Sequence, residues 1–177
     1  MVGRPAPHPN ARGFLGAWVS AAMMWSSTTR RLLTVDQPGD QMLAMVAMYL
    51  CMKSACLLID GGRDVPLDGA ARADCPVPIK QLHHMRDRLQ LFRDEVLHFT
   101  DTSDSNRGIS LRWSADPPHY VYESSVGRTN PVRAEITKSE IEGMLAKLEP
   151  WLYRHWKRLA KETEPMTPRL SWSRLPR

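Results

Sequence analysis

From Asp40 to about Ile59 the chain reads as one helix that is apolar almost all round: Met42, Leu43, Met45, Val46, Tyr49, Leu50, Met52 and Leu57 leave no wide polar face. Such a helix needs neighbours on several sides, which places it at the centre of a bundle. Asp40 is positioned to cap it after a break at Pro38-Gly39, and Gly61-Gly62 ends it. Its methionines at 42, 45, 48 and 52 are read as core filling. No apolar stretch is expected to approach the ~20 residues that cross a bilayer, so no membrane partner is expected.

The rest of the chain supplies the neighbours. Residues 1–12, with Pro5, Pro7 and Pro9, read as a flexible arm, and Phe14 to Leu33 as a helix with Phe14, Leu15, Trp18, Val19, Ala22 and Met23 at helical spacing. Its apolar start has the length of an export signal's core. Trp18, Ser20 and the absence of a small-x-small cleavage site argue against that use. A Gly/Asp/Ala/Pro connection leads to a helix from Ile79 to about Phe99, whose Ile79, Leu82, Met85, Leu89, Phe92 and Val96 fall on one face. The period then changes to two. Ile109, Leu111 and Trp113, a turn at Asp116-Pro117-Pro118, and Tyr120 to Glu123 predict a β-hairpin at about 108–124. Thr137-Lys-Ser-Glu140 has the capping-box form and opens a last helix to about 162, with Ile141, Met144, Leu145, Leu148, Trp151, Leu152, Trp156 and Leu159 in register and Pro150 kinking it. The expectation is a mainly α bundle of four to five helices, one domain over 13–163, with a hairpin inserted before the last helix and a basic mobile tail at 164–177.

Composition excludes little. The 177 residues carry 24 Lys+Arg against 19 Asp+Glu, a surplus of five that permits nucleic acid or an acidic partner and identifies neither. Three cysteines, Cys51, Cys56 and Cys75, cannot all pair, and Cys51 and Cys56 sit roughly 140° apart on one helix. A reducing cytoplasm is the expected setting. His83-His84 with Asp87 offers two ligands at i, i+4 and falls short of a metal site. Asp101 to Asn106 is calcium-like in composition, yet it has neither the glycine at the sixth position nor the glutamate at the twelfth. No metal or cofactor is expected.

The chemistry-bearing residues lie near the end of the Ile79 helix, where Arg93-Asp94-Glu-Val-Leu-His98-Phe99 closes a stretch with a clean core stripe. On helical spacing Asp94 and His98 are i, i+4 neighbours, so the carboxylate can accept from the imidazole and orient it, while Arg93 flanks the core stripe and can address phosphate oxygens. Arg93-x4-His98, with a polar residue after the arginine, resembles the R-x(4–6)-H motif of the HEPN superfamily (higher eukaryotes and prokaryotes nucleotide-binding domains). A second match, Arg112-x6-His119, spans the expected hairpin turn and is set aside. The resemblance implies a small helical bundle acting as a metal-independent endoribonuclease of a toxin–antitoxin or phage-defence system. It also implies a homodimer whose two motifs share one cleft, with RNA as substrate and a protein antitoxin as a further partner. Arg93, His98 and Asp94 are then the catalytic set.

Arg154, Lys157 and Arg158, beside Trp151 and Trp156, are the candidate RNA-binding residues, on a face that also reads as simply solvated. The competing expectation is a non-catalytic helical adaptor that binds a protein through its Trp-rich last helix and its hairpin.

Overall fold

The computed structural model describes residues 10–35, 37–63, 65–98, 109–115, 118–124 and 132–163. The arm before Asn10, the loop 100–107 with its calcium-like run, the Asp116-Pro117 turn and the tail 164–177 lie outside these residues. Five helices and a three-stranded sheet follow in the order α1 (Ala11–Leu33), α2 (Pro38–Asp60), α3 (Gly69–Ala73), α4 (Ile79–His98), β1 (Ile109–Ala115), β2 (Pro118–Ser124), β3 (Val132–Thr137) and α5 (Lys138–Thr163). The chain is therefore mainly helical, with antiparallel β structure directly before the last long helix.

The central position of α2 follows from its composition. It packs against α1 on one side and α4 on another, and α1 in turn packs against α5. Ala44, Met45, Met48, Cys51, Met52, Ala55, Leu58 and Ile59 are fully buried or nearly so. Three of the four stripe methionines are thus core, their flexible thioethers filling the space between helices. Pro38 belongs to the helix as its first residue, where a missing N–H costs nothing, and Asp40 lies inside the first turn instead of capping it. Among the described residues, Gly39–Asp60 is one helix with the length and mean hydropathy (2.0) of a membrane span, contrary to expectation, but 61% of that span is buried inside the fold.

The α2 helix stops at Gly61, whose φ of 83° is open to glycine and strained for other residues. A Cβ there would meet the Val65 carbonyl at 2.7 Å and the Leu67 amide at 2.8 Å. Gly61→Ala is expected to lower stability by about 2 kcal/mol or more. Gly16→Ala, within α1 and with nothing within 4 Å of its Cβ, should instead raise stability by about 0.5–1 kcal/mol. Urea unfolding of both variants tests the opposite signs.

The buried seam of α1 is Leu15, Val19, Ala22, Ser26, Thr29 and Leu33, at alternating spacings of four and three. Phe14, expected in the core, falls off this seam and is 42% exposed. Ser26 and Thr29 tolerate burial because their hydroxyls donate back to the Met23 and Trp25 carbonyls.

In the sheet, β1 pairs antiparallel with β2 as the hairpin pattern predicts, through Leu111↔Tyr122 and Trp113↔Tyr120. A third strand, β3, then pairs with β2 through Tyr120↔Ile136 and Tyr122↔Ala134. The sheet is fastened to the helical core at Tyr120, fully buried, whose hydroxyl donates to the side-chain carbonyl of buried Gln41 on α2. The Gln41 amide donates in turn to the Val35 carbonyl, so this buried amide is satisfied at both ends.

The capping box forms as written in the sequence. The Glu140 amide donates to Thr137 Oγ1 at 3.1 Å, and the Thr137 amide donates to Glu140 Oε2 at 2.8 Å. The α5 helix runs unbroken through Pro150, which is exposed together with Ala146, so the carbonyl deprived of its donor faces solvent. Its core stripe is Ile141, Met144, Leu145, Leu148, Trp151 and Leu152, completed by His155 and Leu159.

Candidate functional site

Two polar clusters sit on this frame. The first lies between α2 and α4. A groove of about 310 Å³ is lined by Tyr49, Lys53, Cys56, Leu57 and Asp60 of α2, Gly61, and Arg86 and Gln90 of α4. Of these α2 positions Lys53 and Asp60 are exposed, whereas Tyr49 and Cys56 are buried. Lys53 is exposed and has no ion-pair partner among the described residues. Arg86 is held by Asp87 through contacts of 2.9 and 2.7 Å.

Arg93 stands one helical turn beyond the groove's Gln90. Its guanidinium carbon is 5.3 Å from the centre of the Tyr49 ring, within cation–π range. It also donates to the Asp94 carboxylate, and that hydrogen bond raises the Arg93 pKa above its ordinary value against the opposing effect of burial. Asp94 therefore binds its neighbouring arginine. His98 ends α4, and its side chain lies outside the described residues, as does Phe99.

At the other end of the groove, Cys56 Sγ, an Asp60 carboxylate oxygen and a His83 ring nitrogen lie within 4.8 Å of one another. His83 Nε2 is 2.7 Å from Asp60 Oδ2, and Arg72 donates to Asp60 Oδ1 at 3.2 Å. Burial pushes the Cys56 thiol up to about 12, despite the nearby Arg86. His83 is thus partnered across helices, not with Asp87 on its own.

The second cluster joins α3 to α5. Asp68 caps α3 by accepting from the Ala70 and Ala71 amides at 3.1 and 3.0 Å, and its other oxygen accepts from Arg158. Trp151, fully buried, donates through Nε1 to the Ala71 carbonyl at 3.2 Å and to Asp74 Oδ1 at 3.0 Å. His155, only 4% exposed, takes the core position where Trp156 was expected. At 100° per residue His155 lies about 20° from the centre of the α5 stripe and Trp156 about 80° away, so Trp156 is 40% exposed. Arg158 Nε donates to His155 Nδ1 at 3.3 Å, which leaves Nε2 as the proton-bearing nitrogen 2.8 Å from Asp74 Oδ1.

The three candidate RNA-binding residues separate. Arg158 is committed to Asp68, Arg154 Nη2 lies 3.5 Å from Asp74, and Lys157 projects outward over the Tyr153 ring at 4.4 Å. Tyr153 and Trp156 stack on each other with centroids 6.1 Å apart, and both are exposed. Arg93 packs on α2, whereas Arg154 and Arg158 pair with aspartates flanking α3, so they do not form one cluster.

Among the described residues, Asp74 and Glu140 have lowered carboxyl pKa values. Burial raises the pKa of Asp74, but hydrogen bonds from His155 and Trp151 outweigh it, and the net shift is downward. For Glu140 the burial effect is likewise overcome, by Arg88 and by the Thr137 amide. A carboxylate whose folded pKa is depressed adds stability above its unfolded pKa and loses it as pH falls through the folded value. The melting temperature should therefore fall as pH drops below about 4, and Asp74→Asn should flatten part of that fall. Melting curves between pH 3 and 7 measure it.

Comparison with family models, with curated proteins and with solved structures gives no match for this chain.

Proposed function

We propose that the protein is a homodimeric, metal-independent endoribonuclease of the toxin–antitoxin or phage-defence type that the Arg93-x4-His98 motif resembles. The observation that carries this reading is Arg93, laid on the Tyr49 ring beside a groove that also presents Lys53 and Arg86. A guanidinium supported on an aromatic face, with further cations along the same cleft, suits a phosphodiester.

In the proposed reaction the ribose 2′-oxygen forms a bond to phosphorus and the bond from phosphorus to the 5′-oxygen breaks. His98 takes the 2′-hydroxyl proton, and the departing 5′-oxygen is protonated by its counterpart from the second copy or by water. Arg93 stabilises the charge that grows on the phosphoryl oxygens. The products are a 2′,3′-cyclic phosphate and a 5′-hydroxyl. A cytoplasmic setting and a protein antitoxin belong to the same proposal.

The adaptor reading has its own support in the exposed Tyr153–Trp156 stack with Lys157 above it, an aromatic surface suited to a partner. Incubating the purified full chain with total RNA and transfer RNA in the presence of a chelator separates the two. Fragments ending in cyclic phosphate are the expected result. Intact RNA at every concentration of folded protein removes the ribonuclease reading and leaves the adaptor.

A further inference from the structure

We propose that Cys56, Asp60 and His83 form a binding site for a zinc-class divalent transition-metal ion, with the remaining coordination position open to the groove between α2 and α4. The inference goes beyond the ribonuclease reading and does not depend on it, because its readout is metal coordination, not cleavage.

The donor set is the first argument. One thiolate sulfur, one imidazole nitrogen and one carboxylate oxygen suit Zn²⁺ and Co²⁺ far better than Mg²⁺ or Ca²⁺, and three protein ligands with one open position is the arrangement of reactive zinc sites. Geometry is the second. Cys56 and Asp60 are i, i+4 on α2 and so point from one face, while His83 reaches them from the first turns of α4. Their donor atoms lie within 4.8 Å of one another, and tetrahedral zinc needs about 3.3–3.6 Å between donors, from bond lengths of 2.0–2.3 Å. Cys56 is fixed by burial. Asp60 and His83, hydrogen-bonded at 2.7 Å, must part slightly to admit the ion, and both are open enough to solvent to do so by side-chain rotation.

The surroundings supply the third argument. Arg72 holds Asp60 Oδ1, which leaves Oδ2 for a ligand, and the hydrogen bond Oδ2 now shares with His83 Nε2 at 2.7 Å is the one an ion would replace. Asp60 is also the last residue of α2, where the helix end carries partial negative charge that favours a cation. Arg86, the cation nearest the thiol, is paired with Asp87. Two of the three ligands, Cys56 and Asp60, line the groove, so an exogenous oxygen or nitrogen ligand has access to the fourth position.

The test is titration of Co²⁺ into the chelator-treated full chain. One equivalent should produce thiolate-to-cobalt charge transfer in the near ultraviolet and intense visible bands of a four-coordinate ion, both displaced by Zn²⁺. Cys56→Ser should abolish the charge-transfer band, and Cys75→Ser should leave it unchanged. His83→Ala and Asp60→Asn, which alter more open positions, should each weaken binding at least about tenfold while the circular dichroism stays that of the folded protein. A chain that shows no charge-transfer band overturns the proposal. So does a band that survives Cys56→Ser, or an affinity unchanged in His83→Ala.

Discussion

Trp151→Ala should lower the free energy of unfolding by about 3–5 kcal/mol, a large share of the 5–15 kcal/mol typical of a domain. The indole is fully buried, so its removal leaves a cavity at the centre of the α5 stripe. It also deprives the Ala71 carbonyl and Asp74 of a donor. Loss of the indole should loosen α3 on its α5 side, leaving its Arg72 and Asp68 bonds to the end of α2. Trp156→Ala is the internal control: that ring is 40% exposed, and its loss should cost about 1 kcal/mol or less. Urea midpoints of the two variants, with unchanged slopes, would establish the contrast. Equal midpoints would mean that the indole's burial contributes little.

The second large effect concerns the proposed chemistry. Arg93→Ala and His98→Ala should each reduce RNA cleavage by about 100-fold or more, the usual scale for losing a phosphate-stabilising group or a general acid–base. Arg93 is partly exposed and its ion pair is with partly exposed Asp94, so its removal should leave the melting temperature nearly unchanged. Tyr49→Phe retains the ring face and should retain activity. Full activity in both alanine variants would exclude the assignment, whereas loss of activity accompanied by loss of fold would point to the Tyr49–Arg93 contact as structural.

How much of this was legible beforehand depended on how local each signal was. Helix α5 could be read almost completely, because Thr137 and Glu140 complete a capping box within four residues and its core stripe repeats at helical spacing. His155 carried a signal too, since its angular position places it in that stripe, but its polarity diverted it to the surface. Strand β3 was missed, although Val132, Ala134 and Ile136 alternate with Arg133 and Glu135. Ala134 and Ile136 are buried and Arg133 and Glu135 exposed, the period-two signal of a strand that six residues are too few to announce. Helix α3 was less visible. Its cap is local, but the partner that holds that cap, Arg158, is 90 residues away.

The metal-ligand geometry shows the same limit from another direction. Sequence spacing pairs His83 with Asp87 on one helix, because intrahelical distances are the only ones it contains. Packing α2 against α4 brings His83 to Asp60, 23 residues earlier. The same packing sets Arg93 over Tyr49 and turns its flanking position on α4 into a specific contact. Both arrangements depend on the rotation of one helix about the other, which no spacing within either helix encodes.

The junction between β3 and α5 has no linker: Thr137 ends the strand and Lys138 begins the helix. With the reciprocal Thr137–Glu140 bonds clamping that corner, the sheet has no slack relative to the helix. The Tyr120–Gln41 bond then ties this strand–helix corner to α2 through the neighbouring strand. Reorienting the sheet against α5 would therefore require breaking the reciprocal Thr137–Glu140 bonds.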